Sequence, residues 1–207
     1  MFSYCHSDDG SLELSAEDIL KYERRIYMTD LEILTLYQSP STREDAFGHV
    51  IRQHQKSVYY YVRRMVLDHD DANDITQTTF IKAWQALGLF RGDAKISTWL
   101  HKIAYNESIN FIQAKKRIHS VPIDRIESSL GRSLQEDVLY SGDEIQIKLQ
   151  TAMALLPEKQ KAVFIMKYFE EKKYEEIAEI TGTSVGALKA SYHHAVKKIE
   201  EFIIKNP

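Results

Sequence analysis

Cysteine, proline and glycine are all scarce in this 207-residue chain, at one, four and eight residues. The lone Cys5 excludes an intramolecular disulfide framework and any metal site built from several thiolates, and it fits a reducing compartment. So little Gly and Pro is too few turn formers for a β-sandwich or barrel, which turns roughly every 8–12 residues. A mostly helical protein is expected. No apolar run approaches the roughly 18 residues of a membrane span. The N-terminus, with Asp8, Asp9 and Glu13, lacks the basic-then-apolar layout of a secretion signal. These absences point to a cytoplasmic protein with no direct membrane insertion. An excess of positive charge is also missing: the formal net charge is −3, which at face value argues against a nucleic-acid partner.

Divided by segment, the charge tells a different story. Residues 1–40 carry net −5, residues 41–119 net +4, residues 120–144 net −4 and residues 145–207 net +2. The second acidic stretch holds Pro122, Gly131, Gly142 and five serines, which is linker chemistry. Two basic helical domains, 41–119 and 145–207, joined by an acidic tether and preceded by a partly disordered extension, are the expected organisation. Met28 opens a run, Met28-Thr29-Asp30-Leu31, that reads as a typical start. Residues 1–27 are therefore expected to be a disordered extension or an over-long start.

Three helices are expected in the first domain. From Thr42 to Met65 the apolar residues Phe47, Val50, Ile51, Val58, Tyr61, Val62 and Met65 recur at three- and four-residue steps. The polar break Asp68–Asp71 supplies an N-cap for a second helix over 72–87, with Ile75, Thr79, Ile81 and Trp84 available to a core. Phe90-Arg91-Gly92-Asp93 reads as a loop. Ser97 or Thr98 is expected to cap a third helix that ends in Lys115-Lys116-Arg117. Trp99 and the cluster Tyr59-Tyr60-Tyr61 read as packing residues.

The second domain reads as four short helices, with Pro157 at the first position of one of them. Its most informative part is 174–203. A short amphipathic helix from Tyr174 to Thr181 stops at Gly182, and Ser184 caps a longer one striped by Val185, Leu188, Tyr192, Ala195, Val196, Ile199 and Ile203. Small residues at Ala178 and Gly182 suit the close crossing of a helix-turn-helix. The face opposite the stripe centres on Ala190, His194 and Lys197, flanked by Gly186, Ala187 and His193. Small residues there would admit a DNA groove, and the Lys and His residues could meet phosphates or base edges. His193 and His194, about 100° apart on a helix, do not chelate a metal.

With these residues in view, a family resemblance emerges. Asp71-Ala72-Asn73-Asp74-Ile75-Thr76-Gln77 with Phe80 and Trp84, then Phe90–Asp93, Thr98-Trp99-Leu100 and Ile103–Asn106, resembles region 2 of bacterial sigma-70-family factors. Leu156-Pro157 through Ser184–Lys189 resembles region 4. With only a linker between them, the chain resembles the extracytoplasmic-function group over about residues 42–203. The resemblance implies an all-α fold of a region 2 three-helix bundle and a four-helix region 4. It implies a transcription initiation factor that binds core RNA polymerase through its clamp and flap, directs it to promoter DNA and helps to melt it, with an anti-sigma factor as a further partner.

Carried over residue by residue, the resemblance assigns polymerase binding to Asp71, Asp74, Gln77, Thr78 and Ile81. The minus-ten element would meet Arg91, Asp93, Lys95, Ser97, Thr98, Lys102, Asn106, Lys115, Lys116 and Arg117. The minus-thirty-five element would meet Ser184, Gly186, Ala187, Lys189, Ala190, Ser191, His193, His194 and Lys197. That last helix departs from the family's usual pattern: Ala187–Ser191 stands where Thr-Val-Lys-Ser-Arg is frequent, and His194 where an Arg is common. Two fewer cations imply an altered promoter preference.

The alternative is a stand-alone helix-turn-helix regulator that binds duplex DNA without polymerase. An enzyme is not expected, nor a cofactor, a metal or a small-molecule substrate. The chain has no Gly-rich phosphate loop and no nucleophile elbow. His49 and His54 lie off one another's face, and Asp68–Asp74 lacks the glycine and distal glutamate of a calcium loop.

Overall fold

A computed structural model of the protein describes residues 4–6, 12–14, 27–118 and 144–206. Most of the stretch 1–27, and the expected tether over 120–144 except Glu144, lie outside the described residues. A short antiparallel hairpin pairs β1 (Tyr4–His6) with β2 (Leu12–Leu14). Among the described residues every other regular element is helical: α1 (Asp30–Tyr37), α2 (Arg43–Val66), α3 (His69–Ala86) with a 3-10 turn at Leu87–Leu89, and α4 (Ile96–Ile118). Then follow α5 (Glu144–Ala154), α6 (Glu158–Tyr168), α7 (Tyr174–Thr181) and α8 (Val185–Lys205). The chain divides into two compact units, one of residues 1–56 with 84–96, the other of 57–83 with 97–207.

The first unit contains a helix that composition and spacing left unread. Thr29 and Glu32 form a capping box at the start of α1: the Thr29 hydroxyl accepts from the Glu32 amide, and the Glu32 carboxylate accepts from the Thr29 amide at 2.7 Å. The helix buries Ile33, and the Gln53 amide group ties down the Met28 carbonyl at 2.9 Å. Trp84 sets its ring edge-on against Phe47 at 5.1 Å and Tyr37 at 6.2 Å. Gly92 turns the loop with φ 77. The start of α4 was expected to be capped by Ser97 or Thr98. Instead the carboxylate of Asp30, 66 residues upstream, accepts from the Ile96 amide at 2.8 Å, and the helix begins there. A long-range carboxylate does the work of a local hydroxyl.

In the second unit the polar break supplies its cap as expected: Asp68 caps α3, its Oδ1 accepting from the Asp71 amide at 2.9 Å. Pro157 is the N-cap of α6 rather than its first residue. Ser184 caps α8 as expected, accepting from the Ala187 amide. Val58, Tyr61, Val62, Met65, Ile75, Leu100, Ala104 and Tyr105 are buried from α2, α3 and α4. Tyr61 is the packing residue of its cluster, whereas the Tyr59 hydroxyl reaches His69 Nδ1 at 2.7 Å. From α5 to α8, Met153, Leu156, Ile177, Ile180, Leu188, Ala195 and Ile199 are buried.

Helix α6 is unusual in burying six successive residues, Lys161 to Met166, on all its sides. An amphipathic surface helix would expose every third or fourth of them. One of the six is a lysine. Lys161 is 7% exposed, with Nζ 3.4 Å from the Met65 carbonyl oxygen. Burial pushes its pKa from 10.5 down to about 8, with Lys116 nearby acting the same way and Glu158 opposing.

Among the four described residues with positive φ, Gly182 and Glu171 contrast in residue choice. Gly182 (φ 66) ends α7, its amide donating to the Ala178 carbonyl at 2.9 Å. A Cβ there would meet nothing within 4 Å, so Gly182 serves the left-handed backbone and not a close helix crossing. Exposed Glu171 (φ 52) takes the same region after α6 without being glycine. In urea denaturation, Glu171→Gly should therefore raise the unfolding free energy by about 0.5–1 kcal/mol, and Gly182→Ala should lower it by about 1 kcal/mol. Shifts of the same sign at both positions would contradict this account.

The buried ammonium gives a pH signature. Below pH 8 the folded chain holds the Lys161 proton at a penalty; between 8 and 10.5 the unfolded chain binds more protons, so stability rises with pH and the penalty fades. Lys161→Met should stabilise the protein at neutral pH by on the order of 2 kcal/mol, and the gain should vanish by about pH 10.5. Denaturation curves across that range, showing a gain independent of pH, would rule the explanation out.

Candidate nucleic-acid interface

Three sets of exposed side chains stand on these helices. The first lies on α3, whose buried face of Ala72, Ile75, Thr76, Thr79 and Phe80 leaves Asp74, Gln77 and Ile81 facing solvent, with Thr78 half-buried between them. Steps of three and four residues put these groups in one stripe along the helix. Ile81, 51% exposed, is a large apolar side chain in that stripe, flanked by a carboxylate and an amide. Such a patch suits a protein surface with matching apolar and cationic groups. Asp71 differs from its neighbours. Its carboxylate pairs with Lys115 of α4 at 2.6 Å, so it is engaged within the protein.

The residues expected at the minus-ten element differ in exposure and in the partners they hold. In the loop before α4, Arg91 pairs with Asp93 at 3.1 Å, both well exposed; Lys95 is exposed as well. On α4, Lys102 and Asn106 share one exposed face four residues apart. Ser97 is half-buried, and Thr98 is 5% exposed, so its hydroxyl presents nothing to a ligand. At the helix end Lys115, Lys116 and Arg117 are all exposed, yet Lys115 is paired with Asp71 and Lys116 with Glu158. The Lys116 bond holds the Glu158 carboxyl below its ordinary range. These surface pairs are each worth about 0–1 kcal/mol and can exchange for phosphates.

The third set lies along α8. Ser184, Gly186, Ala187, Lys189, Ala190, His193, His194 and Lys197 are exposed, and Ser191 is half-buried. Opposite them Leu188, Ala195 and Ile199 pack against α5, α6 and α7. A Cβ at Gly186 would meet nothing within 4 Å, so the front of the helix is bare backbone. Lys189 lies over the Tyr174 ring at 5.8 Å, which steadies one cation beside the exposed face. The α7–turn–α8 arrangement thus presents a small-residue front and a Lys/His rear on one side, the shape and charge that a major groove accepts. Beside this face the sequence reading missed Lys198, which donates to Gln160 of α6 at 3.2 Å.

Several engaged groups have no sequence signature. His101 on α4 is 2% exposed; its Nε2 lies 3.1 Å from Glu170 and its Nδ1 2.8 Å from the Ser97 carbonyl. The partners lie 69 residues apart, beyond any local pattern. Among the described residues no group of three or more His, Cys, Asp or Glu side chains could hold a metal, and no helix is long and apolar enough to cross a membrane.

Comparison with known proteins assigns these surfaces to a family. The family model "Sigma-70 region 2" matches residues 50–118, and "Sigma-70, region 4" matches residues 146–199, together more than half of the chain. The RNA polymerase sigma factor YlaC of Bacillus subtilis is 28% identical over 163 residues, 78% of this chain and 94% of that protein. The ECF RNA polymerase sigma-E factor of Salmonella typhimurium is 32% identical over 166 residues, 76% of this chain and 86% of that one. Among solved structures, the sigma factor RpoE of Bartonella quintana, crystallised with its anti-sigma factor NepR, shares the fold with a TM-score of 0.61. It is 21% identical, over 76% of this chain and 96% of that chain. Region 2 and region 4 matches in order, with a relative above 30% identity along most of its length, place the chain in a family: it belongs to the sigma-70 family of RNA polymerase sigma factors, in the extracytoplasmic-function group.

Proposed function

We infer that the protein is a cytoplasmic transcription initiation factor that joins core RNA polymerase, carries it to specific promoters and assists their melting. The observation that carries this reading is the presence of both sigma regions, in order, on helices whose exposed faces differ in chemistry. It acts by binding, without catalysis. The α3 stripe of Asp74, Gln77, Thr78 and Ile81 meets the polymerase clamp, with Ile81 as the apolar anchor and Asp74 pairing to a cation. Asp71, tied to Lys115, supports that surface from its edge. Region 4 takes the flap.

Promoter contacts divide by chemistry. Lys102, Asn106 and the loop cations Arg91 and Lys95 lie along the minus-ten strand, where an unstacked base needs polar groups and the backbone needs positive charge. Lys115–Arg117 follow the phosphates. The exposed face of α8, from Ser184 to Lys197, enters the major groove at the minus-thirty-five element. An anti-sigma factor is the expected regulator.

The test is promoter-dependent run-off transcription with purified protein and core polymerase. Absence of both co-migration and transcript would refute the inference, and a shift of promoter DNA by the protein alone would favour a stand-alone regulator. Asp74→Ala and Gln77→Ala should each weaken core binding by about 5- to 30-fold with unchanged thermal midpoints. His194→Ala and Lys197→Ala should instead lower transcription from promoters that depend on the minus-thirty-five element while leaving core affinity intact. Loss of core affinity in the α8 variants, or none in the α3 variants, would invert the assignment.

A further inference from the structure

Helix α1 lies before residues 50–118, which carry the region 2 match, and one of its faces runs along the loop that leads into α4. Asp30, Leu34 and Tyr37 stand at steps of four and three residues, on one side of the helix. Each meets a different point of the loop. The Asp30 carboxylate accepts from the Ile96 amide at 2.8 Å. A Cβ at Gly92 would lie 3.6 Å from Leu34 Cδ1, and one at Gly88 would lie 3.8 Å from the Tyr37 hydroxyl oxygen. The order along α1 reverses the order along the loop, so the two run antiparallel and meet at the rear, middle and front of 88–96.

The helix is itself fixed to α2 at both ends. At one end Gln53 donates to the Met28 carbonyl at 2.9 Å. At the other, Arg43 Nε donates to the Tyr37 carbonyl at 3.3 Å, and the Arg43 guanidinium lies over the Tyr37 ring at 5.4 Å. Thr42, just before α2, donates its hydroxyl to the Leu36 carbonyl at 2.6 Å. The loop has much less of its own. Leu87 and Ile96 are buried at its ends, while Leu89, Arg91, Gly92, Asp93 and Lys95 between them are exposed. A segment with few buried side chains and with glycine at 88 and 92 has many backbone arrangements open to it. Its shape has to come from what it rests on.

Asp30 also supplies what the loop's own sequence does not. The residue just before α4 is Lys95, whose side chain offers no acceptor to the first amides of the helix and whose charge is unfavourable at a helix N-terminus. The carboxylate from α1 answers both needs: it accepts from the Ile96 amide and brings an anion to the same helix end. Position 95 can therefore keep a cation where a local cap would have required Ser, Thr, Asp or Asn. A loop that follows a nucleic-acid strand gains from that charge.

We propose that α1 is a brace for the minus-ten loop and that Asp30 is a positioning residue of promoter reading, fixing the backbone from which Arg91 and Lys95 reach the strand without itself contacting DNA. This rests on the sigma reading for its consequence and on the contacts of α1 alone for the brace. Its effect falls on discrimination between strands, which needs groups held in fixed places, and not on general attachment, which needs only charge. Without the cap the loop spreads over misplaced arrangements, and specific affinity falls with the fraction still correctly placed.

The test uses the full-length protein assembled with core polymerase. A pool of short random-sequence DNA single strands is selected on the parent holoenzyme, and the retained strand and a scrambled version of it are titrated by fluorescence anisotropy. Asp30→Ala should cut the ratio of the two affinities by about tenfold, with scrambled-strand and core affinities unchanged. Asp30→Asn, whose amide oxygen still accepts, should hold the ratio within about twofold of the parent. In the free protein, hydrogen exchange at the Ile96 amide should quicken in Asp30→Ala and not in Asp30→Asn. Parent-like discrimination in a folded Asp30→Ala, or an equal loss in Asp30→Asn, overturns the proposal. Should Asp30→Ala not fold, Leu34→Ala carries the test: it removes only the contact at Gly92, and a parent-like ratio there overturns the brace. A parent protein that neither binds core nor prefers any strand would instead strike at the sigma reading, while the exchange rates would still decide whether Asp30 holds Ile96.

Discussion

Everything in the second unit leans on the burial of α6. Lys161, Ala162, Val163, Phe164, Ile165 and Met166 are buried in a helix that packs against α7 and α8 of region 4, and Lys161 also reaches the Met65 carbonyl of α2. Full burial of the apolar five contributes about 1.5–3 kcal/mol for each large side chain, enough to order a helix too short to persist alone in water. The lysine among them works against that sum. One helix therefore carries both the strongest apolar anchor of region 4 and a buried charge that weakens one side of it.

The same tension shapes the recognition faces. Because Leu188, Ala195 and Ile199 are committed to packing, α8 presents the opposite face, where small residues at the front give way to lysines and histidines. Bare Gly186 and Ala187 let the helix approach a surface closely, at the cost of grip. On α3 the balance is reversed: a stripe of one carboxylate, two neutral polar groups and one exposed isoleucine suits a protein surface better than a row of phosphates.

Much of this was legible in the sequence. The helical class followed from scarce turn formers, and the Gly182–Ser184 punctuation marked the helix-turn-helix to the residue, because left-handed glycine and a hydroxyl cap are local chemistry. The Thr29–Glu32 capping box was equally local and was overlooked because it lies in a stretch whose acidity suggested an extension. Other features could not be read. Asp30 caps α4 from 66 residues away, and His101 finds Glu170 across 69; neither pairing has a period or a motif. Thr98 reads as a polar contact residue, yet packing turns it inward.

The ion pairs at the end of α4 bear on how the free protein meets DNA. With Lys115 held by Asp71, Lys116 by Glu158 and Arg91 by Asp93, three cations that sequence would count toward phosphate binding already have internal anions. Each must give up a carboxylate to take a phosphate, so the gain from the new contact is offset by the loss of the internal pair. The Lys and Arg content therefore overstates the positive charge that these positions hold ready for an anion.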